Sequence, residues 1–326
     1  MMGGATSSGG RVSSTGGTTN SGGTVLSTGG VTAGSGGVVG LGGLAGGGSS
    51  GGRGGAVGTG GVGTGGSSVA GLDGGGGSAS ACTRDFLKAT IDAYFKALAA
   101  HSSSTLPLAD NVKFTENGKV LKVGQDGLWK TAGALKYVQS ALDADGCNAA
   151  SEAVVPDGTT DIPFALRLKI QNQKITEIET IVVRTGDYSV ASNTAAIIAS
   201  AASIKWEDSV PANQRNTSAE ITAWMDKYFK IFPNGVCNTA STCKRLENGG
   251  GSFTCSAGAT CTAGSPSAGK PAIPSHIIFA DVETGIGVGF DLFTGNYVDM
   301  HMFKMYGGQV YAVHAILASA NGTGWD

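Results

Sequence analysis

A Glu-Asn-Gly triplet occurs twice in this chain, at 116–118 and at 247–249, and similar sequence surrounds both copies. Upstream of each copy lies a segment with apolar residues at helical spacing, "DFLKATIDAYFKAL" and "AEITAWMDKYFKIF", with Tyr-Phe at the same position. Downstream, "LRLKIQNQKITEIETIVV" and "HMFKMYGGQVYAVHAILA" align without a gap, and each predicts two strands around a tight turn. This internal duplication restricts the fold to two units of one architecture.

Each Glu-Asn-Gly copy also carries a local structural signal. Asn-Gly is the strongest short signal for a hairpin turn, because both residues accept a positive φ. We therefore predict turns at Asn117-Gly118 and Asn248-Gly249. Glu116 ends an alternating strand, "VKFTENGKVL", beside an apolar face, which makes it a candidate catalytic residue of the first unit.

The chain divides by composition into a tail and a folded part. Residues 1–80 hold 34 of the 56 glycines and none of the aromatic residues. Such a segment cannot bury enough apolar surface to offset its ordering entropy. We predict a disordered Gly/Ser/Thr-rich linker over 1–81, a first unit over 82–184, a connector over 185–216 and a second unit over 217–326.

Charge and hydropathy restrict the partners. The net charge is -2 and no basic block occurs, so we expect no nucleic-acid partner, which would need a surface that follows the phosphate backbone. No apolar run reaches the roughly 18 residues that a membrane span needs. The first residues lack the charged and apolar regions of a secretory signal, so no signal segment is visible.

Cysteine usage indicates an oxidising compartment. The six cysteines are Cys82, Cys147, Cys237, Cys243, Cys255 and Cys261. None has the Cys-x-x-Cys spacing of a zinc or redox motif, and the last four lie in a stretch too poor in apolar residues to build its own core. We expect the first two to pair with each other and the other four to pair among themselves, in one of three ways. The protein is then extracytoplasmic, secreted or surface-tethered; six free thiols in a cytosolic protein are the alternative.

The helix and strand patterns together resemble the nuclear-transport-factor-two-like fold, which is the ketosteroid-isomerase or polyketide-cyclase superfamily. Two stretches, "YFKALAAHSSSTLPLADNVKFTENGKVLKVGQDGLWKTA" and "MFKMYGGQVYAVHAIL" with the final "GTGWD", resemble an uncharacterised family of tandem domains of this type from fungi and bacteria. The glycine-rich tail is similar to the linkers of exported bacterial lipoproteins, although it lacks their anchor cysteine.

This resemblance implies an α+β fold class: two fused cone-shaped units, each a long helix packed on a curved antiparallel sheet, after the disordered tail. The concave face of such a sheet often forms an apolar pocket. The two sheets are expected to pack against each other as in dimers of the superfamily, which makes the monomeric chain an internal pseudo-dimer. The resemblance implies no single activity, since members include isomerases, dehydratases, epoxide hydrolases, cyclases and binding modules.

The last hairpin carries the strongest candidate site. If the Gly-Gly pair at 307–308 forms a two-residue turn, His301 and His314 face each other on neighbouring strands, among apolar residues of the same face. Asp299 lies two residues before His301 and shares that face. Lys304 lies on the opposite face and is expected to reach solvent.

Three interpretations of this face stay open. In the first, Asp299 orients and charges one imidazole and the two histidines shuttle a proton, which suits a lyase, isomerase or dehydratase. In the second, two histidines and one carboxylate bind a metal ion. In the third, the histidines are structural, in a non-catalytic ligand-binding or surface-displayed module. We assign His301, His314, Asp299 and Glu116 as candidate catalytic residues and expect neither a metal nor a cofactor.

Aromatic residues are the candidates for ligand contacts. We expect Tyr94, Trp129, Trp224, Tyr228 and Phe303 to line the two pockets and to contact a small apolar or polyhydroxylated molecule. The opposing expectation is that the same side chains fill each cone.

Overall fold

The computed structural model describes residues 82–231, 239–250, 253–254 and 274–325. The linker predicted over 1–81 lies outside the described residues, and so do three of the six cysteines, Cys237, Cys255 and Cys261. None of the described helices is both long and apolar enough to cross a membrane.

The described part of the chain has three α-helices, which form where apolar residues and capping side chains permit them. α1 (Arg84–Ala99) begins after Thr83, whose hydroxyl oxygen accepts a hydrogen bond from a backbone amide of the first turn. α2 (Thr194–Ile204) is short and rich in alanine. α3 (Ser218–Ile231) begins after Thr217, which caps it in the same way. The two amphipathic helices, α1 and α3, are the ones that the duplication predicts.

Sheet 1 follows α1. Its strands are β1 (Leu108–Glu116), β2 (Lys119–Val120), β3 (Tyr137–Asp143), β4 (Asn148–Asp157), β5 (Thr160–Gln171) and β6 (Lys174–Val182). They lie in the order β2-β1-β6-β5-β4-β3. Neighbouring strands are antiparallel, except that β1 and β6 run parallel.

Sheet 2 follows α3. Its strands are β7 (Thr239–Glu247), β8 (Phe253–Thr254), β9 (Ser275–Asp281), β10 (Ile286–Phe293), β11 (Tyr297–Tyr306) and β12 (Gln309–Ser319). Their order, β8-β7-β12-β11-β10-β9, repeats that of sheet 1, and β7 runs parallel to β12. We call α1 with sheet 1 the first unit and α3 with sheet 2 the second unit.

The α+β fold class is confirmed. The sheets are mixed rather than purely antiparallel, because the first long strand after each helix pairs with the last strand of its sheet. The residue boundaries of the units and of the connector stay predictions.

Both Glu-Asn-Gly copies form turns, as predicted, and both asparagines have a positive φ. The side-chain amide of Asn117 donates to the Val182 carbonyl (2.9 Å) and accepts from the Val182 amide (2.8 Å). Asn248 makes the same two bonds with Leu317, at 3.0 and 2.8 Å. Each asparagine side chain therefore extends the parallel strand pairing by the equivalent of one peptide group.

Among the described residues, three apolar cores hold these elements together. The first helix core, between α1 and sheet 1, includes Tyr94 and Phe164. The second helix core, between α3 and sheet 2, includes Phe229 and Phe303. The inter-sheet core contains side chains of both sheets, among them Met302. Each sheet is thus covered on one face by its helix and on the other face by the other sheet.

The predicted disulfide between Cys82 and Cys147 is present. It ties the residue before the cap of α1 to the residue before β4. Cys243 is also disulfide-bonded. The choice among the three predicted pairings of the last four cysteines depends on residues outside the described ranges.

Candidate functional site

A β-bulge interrupts the last hairpin. The predicted register holds next to the turn, where Met305 pairs with Val310. Beyond it, Lys304 pairs with Ala312, so Tyr311 is an extra residue on β12. The residues of β12 beyond this point are displaced by one relative to the predicted pairing.

The predicted pairing of the two histidines is therefore wrong. His301 pairs with Ala315, and His314 pairs with Met302. Because side chains alternate along a strand, a shift of one residue moves each side chain to the other face. His301 faces α3 in the second helix core, whereas His314 faces the inter-sheet core. The predicted proton shuttle between the two imidazoles has no geometric basis.

His301 lies at the centre of a buried polar cluster and is 1% exposed. Its Nδ1 lies 3.2 Å from Asp291 Oδ2 and 3.2 Å from Asp299 Oδ2. Its Nε2 lies 3.3 Å from the hydroxyl oxygen of Tyr228, on α3. We call these four residues the second-unit cluster.

The strand pattern predicts Asp299 beside His301, but Asp291 was not predicted as a member of the site. The two aspartates are directly opposite each other on β10 and β11. A signal was available: "GVGFDLF" and "YVDMHMF" flank the turn residues "TGN", and pairing the strands around that turn brings the aspartates together.

Aromatic rings surround His301. Its ring centroid lies 5.2 Å from that of Tyr228, 5.4 Å from that of Phe229 and 5.9 Å from that of Phe303. Trp224 is half-buried and packs against the same core. Three of the predicted ligand contacts, Trp224, Tyr228 and Phe303, therefore lie in one core. Tyr228, Phe303 and Phe229 pack around the imidazole.

Burial sets the ionisation preferences of this cluster. It raises the pKa of Asp291 well above its usual range, and repulsion by Asp299 adds to the effect. Burial also raises the pKa of Asp299, although Arg245 opposes this shift. It lowers the pKa of His301 well below its usual range, and it raises the pKa of the Tyr228 hydroxyl. The surroundings thus favour the neutral form of each group.

The aspartates are also poorly satisfied by hydrogen bonds. Among the described residues, Asp291 Oδ1 and both carboxylate oxygens of Asp299 are buried without a hydrogen-bond partner. An unpaired buried polar group costs about 1–3 kcal/mol. The cluster is therefore a considerable cost to the stability of the second unit.

His314 occupies a different environment. Its Nδ1 lies 2.8 Å from Glu152 Oε2, on β4 of sheet 1, and Gln139 donates to the same oxygen. The Trp206 ring lies against the imidazole, with 4.8 Å between the ring centroids. His314 thus joins the two sheets and does not reach the second-unit cluster.

Lys304 is buried, at 3% exposure, although it was predicted to reach solvent. Its Nζ donates to the carbonyls of Thr284 (2.6 Å), Trp206 (2.9 Å) and Asp208 (3.3 Å). Burial lowers the pKa of Lys304 to about 8, against the opposing charges of Asp208 and Asp281. The prediction failed because sheet 1 and the connector, rather than water, cover that face of sheet 2.

Glu116 lies on the rim of the first unit and is 6% exposed. Its carboxylate accepts a hydrogen bond from the Leu128 amide (2.6 Å) and lies 3.3 Å from the Arg184 guanidinium. Burial raises the pKa of Glu116, and these two contacts oppose the shift. The residue lines a polar surface cleft of about 530 Å³ together with Lys119, Lys130 and other charged side chains. The structure does not bring Glu116 near the second-unit cluster.

The first helix core is apolar where the second is polar. In the alignment of the two units, Leu166 takes the position of His301. The two aspartates correspond to Ala153 and Phe164, which are directly opposite each other in sheet 1 and fully buried. Tyr94 and Trp129, the predicted ligand contacts of the first unit, are both 1% exposed, and their rings pack edge to face at 5.5 Å.

Comparison with known proteins gives a partial match. Residues 214–317 match a family described as "Domain of unknown function (DUF8021)". No curated protein matches the chain. Among solved structures, a steroid delta-isomerase from Pseudomonas aeruginosa is 16% identical, with 31% of this chain and 81% of that chain covered and a TM-score of 0.25. An NTF2-like protein of unknown function from Cytophaga hutchinsonii is 10% identical, with 30% and 89% covered and a TM-score of 0.25.

Proposed function

We propose that the chain is a small-molecule-pocket protein whose functional centre is the second-unit cluster, and that the first unit is a packed scaffold. The ligand is a small apolar or polyhydroxylated molecule that enters between α3 and sheet 2 and contacts Tyr228, His301 and Asp299.

The contrast between the two helix cores carries this proposal. Three positions that hold Ala153, Phe164 and Leu166 in the first unit hold two aspartates and a histidine in the second. Apolar side chains at these positions stabilise the first unit, whereas buried polar groups without partners destabilise the second. Costly ionisable groups at positions where the fold accepts apolar ones are typical of functional sites.

The composition of the cluster matches a site for an oriented small molecule. Aromatic rings supply apolar contact area, and the carboxylates, the imidazole and the tyrosine hydroxyl supply a few polar contacts that fix orientation. Half-buried Trp224, Ile278 and Phe293 form the outer part of the same core, so movement of these side chains is the access route that we infer.

A ligand screen on the full chain tests the proposal. The first unit supplies the matched variant, Asp291→Ala/Asp299→Phe/His301→Leu, which converts the cluster to the apolar set of the first unit. We expect wild type to bind members of an apolar and polyhydroxylated fragment library, and the triple variant to unfold at a higher temperature and to lose that binding. Equal binding by both proteins contradicts the proposal.

A second, nearly isosteric variant, Asp299→Asn, shows whether any loss of binding comes from the lost carboxylate rather than from overpacking by the new phenylalanine. We expect this variant to fold and to bind the same fragments at least tenfold more weakly. Product analysis with each bound fragment then distinguishes a lyase, isomerase or dehydratase from a non-catalytic binding module.

We also infer that the protein acts outside the cytoplasm. The disulfide between Cys82 and Cys147 supports this location, because such bonds persist in oxidising compartments. A membrane-impermeant thiol reagent and cell fractionation test it. Recovery of the chain in the cytoplasmic fraction, with reduced cysteines, contradicts the inference.

A further inference from the structure

The geometry points to a divalent metal-ion site in the second unit, with Asp291, Asp299 and His301 as the three protein ligands. The sequence suggests a different set, two histidines and one carboxylate. The bulge at Tyr311 removes His314 from that set, and the opposing strand supplies Asp291 in its place.

The spacing of the three ligand atoms fits one ion. His301 Nδ1 lies 3.2 Å from one oxygen of each aspartate, and the three ligand atoms all lie within 4.8 Å of one another. Metal–ligand bonds of about 2.1 Å at angles between octahedral and tetrahedral values give ligand separations of roughly 3.0–3.4 Å. The two separations that involve His301 Nδ1 therefore already match those around a shared ion.

The unsatisfied oxygens are the independent observation that favours an ion over a bound proton. A proton on His301 Nδ1 can bond to one carboxylate oxygen, and the described residues then still leave both oxygens of Asp299 without a partner. A cation in contact with both carboxylates satisfies the oxygens that bind it. The cluster is nine-tenths or more buried, so no bulk water compensates the aspartates.

The contact with Tyr228 permits the ring form of His301 that a metal requires. When Nε2 carries the ring hydrogen and donates it to the Tyr228 hydroxyl oxygen, Nδ1 offers its lone pair to the space between the aspartates. Metal-binding histidines generally have such an outer partner on the second ring nitrogen. Tyr228 would thus orient the ligand without touching the ion.

Charge balance also supports a divalent ion. The core disfavours the ionised form of both aspartates, and a divalent cation between them would neutralise the charge of the two carboxylates when they are ionised. The positive charge of Arg245 stabilises the ionised form of Asp299. Part of that charge is already balanced by Glu247, because Arg245 Nη2 lies 2.7 Å from Glu247 Oε1. One nitrogen and two oxygen ligands suit Mn²⁺ or Zn²⁺ better than Ca²⁺, which prefers oxygen alone.

The experiment uses the full chain and the metals themselves as probes. Protein is stripped with a chelator, incubated with Mn²⁺, Zn²⁺ or Mg²⁺, and freed of excess metal before its metal content is measured. We expect one equivalent of Mn²⁺ or Zn²⁺ per chain, with a rise in unfolding temperature. Asp299→Asn and Asp291→Asn, which are nearly isosteric, are expected to bind at least tenfold more weakly and to lose that rise.

His314→Gln is the matched control, because its imidazole lies on the other face of sheet 2. We expect it to bind metal as wild type does. The inference is overturned if wild type takes up no stoichiometric ion, or if the aspartate variants bind as wild type does. It shares residues with the proposed function but needs no organic ligand. If fragments bind but metal does not, the metal site is overturned and the pocket proposal is supported. If metal binds but fragments do not, the metal site is supported without the pocket proposal.

Discussion

His301 and His314 lie on adjacent strands and on opposite faces of sheet 2, because the extra residue Tyr311 shifts the register of β12 by one. One imidazole belongs to the second helix core and the other to the contact between the sheets. The two residues therefore have separable effects on the protein, which substitutions can distinguish.

Substitution of His314 should destabilise the sheet–sheet contact through its partner. His314→Leu removes the imidazole that is hydrogen-bonded to the buried Glu152 carboxyl group, and loss of a buried hydrogen-bond partner costs about 1–3 kcal/mol. Glu152→Gln/His314→Leu replaces the carboxyl group as well and should recover most of that loss. Urea denaturation of the single and double variants measures the difference. A double variant no more stable than His314→Leu contradicts the assignment.

The two asparagine turns should contribute alike to stability. Asn117→Gly and Asn248→Gly keep a residue that accepts positive φ but remove both side-chain hydrogen bonds to the neighbouring strand. We expect each to lower the free energy of unfolding by about 1–3 kcal/mol, because a backbone amide and a carbonyl lose their partner. Thermal and urea unfolding provide the measurement. A change below about 0.5 kcal/mol at both sites would show that the amides only fill the turn.

Lys304 should make stability depend on alkaline pH. Its folded-state pKa of about 8 lies below the ordinary value of 10.5. Between these values the unfolded chain binds a proton that the folded chain lacks, so this group adds stability as pH rises through that window and removes it as pH falls. Relative to Lys304→Met, wild type should gain about 1–3 kcal/mol between pH 8 and pH 10. A pH-independent difference in unfolding free energy between the two proteins contradicts the assignment.

The disulfide of the first unit should stabilise α1 against sheet 1. Its two cysteines are 65 residues apart, and removing such a link costs about 2–4 kcal/mol. We expect Cys82→Ser/Cys147→Ser to lower the unfolding temperature and to leave metal binding in the second unit unchanged. Calorimetry and metal content check both parts of this prediction. Loss of metal in the folded double variant would show that the two units are coupled.

Much of the fold was predictable because local rules and global structure agree. Apolar periodicity predicts α1 and α3, Asn-Gly predicts the turns at Asn117 and Asn248, and the duplication predicts two units of one architecture. The parallel pairing was not predictable in this way, because it joins strands that are far apart in sequence.

The predicted register of β12 was wrong for a definite physical reason. Alternation fixes register only when one face of a strand is polar. β12 is buried on both faces, by α3 on one side and by sheet 1 on the other, so either register satisfies its apolar side chains. The same double coverage explains why Lys304 was wrongly predicted to reach solvent. The predicted two-histidine site was wrong because it depended on the predicted register.

The strand order has a consequence for how the protein is made. β1 and β7 each leave the ribosome first among the long strands of their sheet, yet each pairs in parallel with the last strand, β6 or β12. Neither sheet can be completed until its final strand has been synthesised. The second unit therefore waits for β12 before β7 finds its parallel partner, and a ribosome stalled before β12 would present an unfinished sheet edge to chaperones.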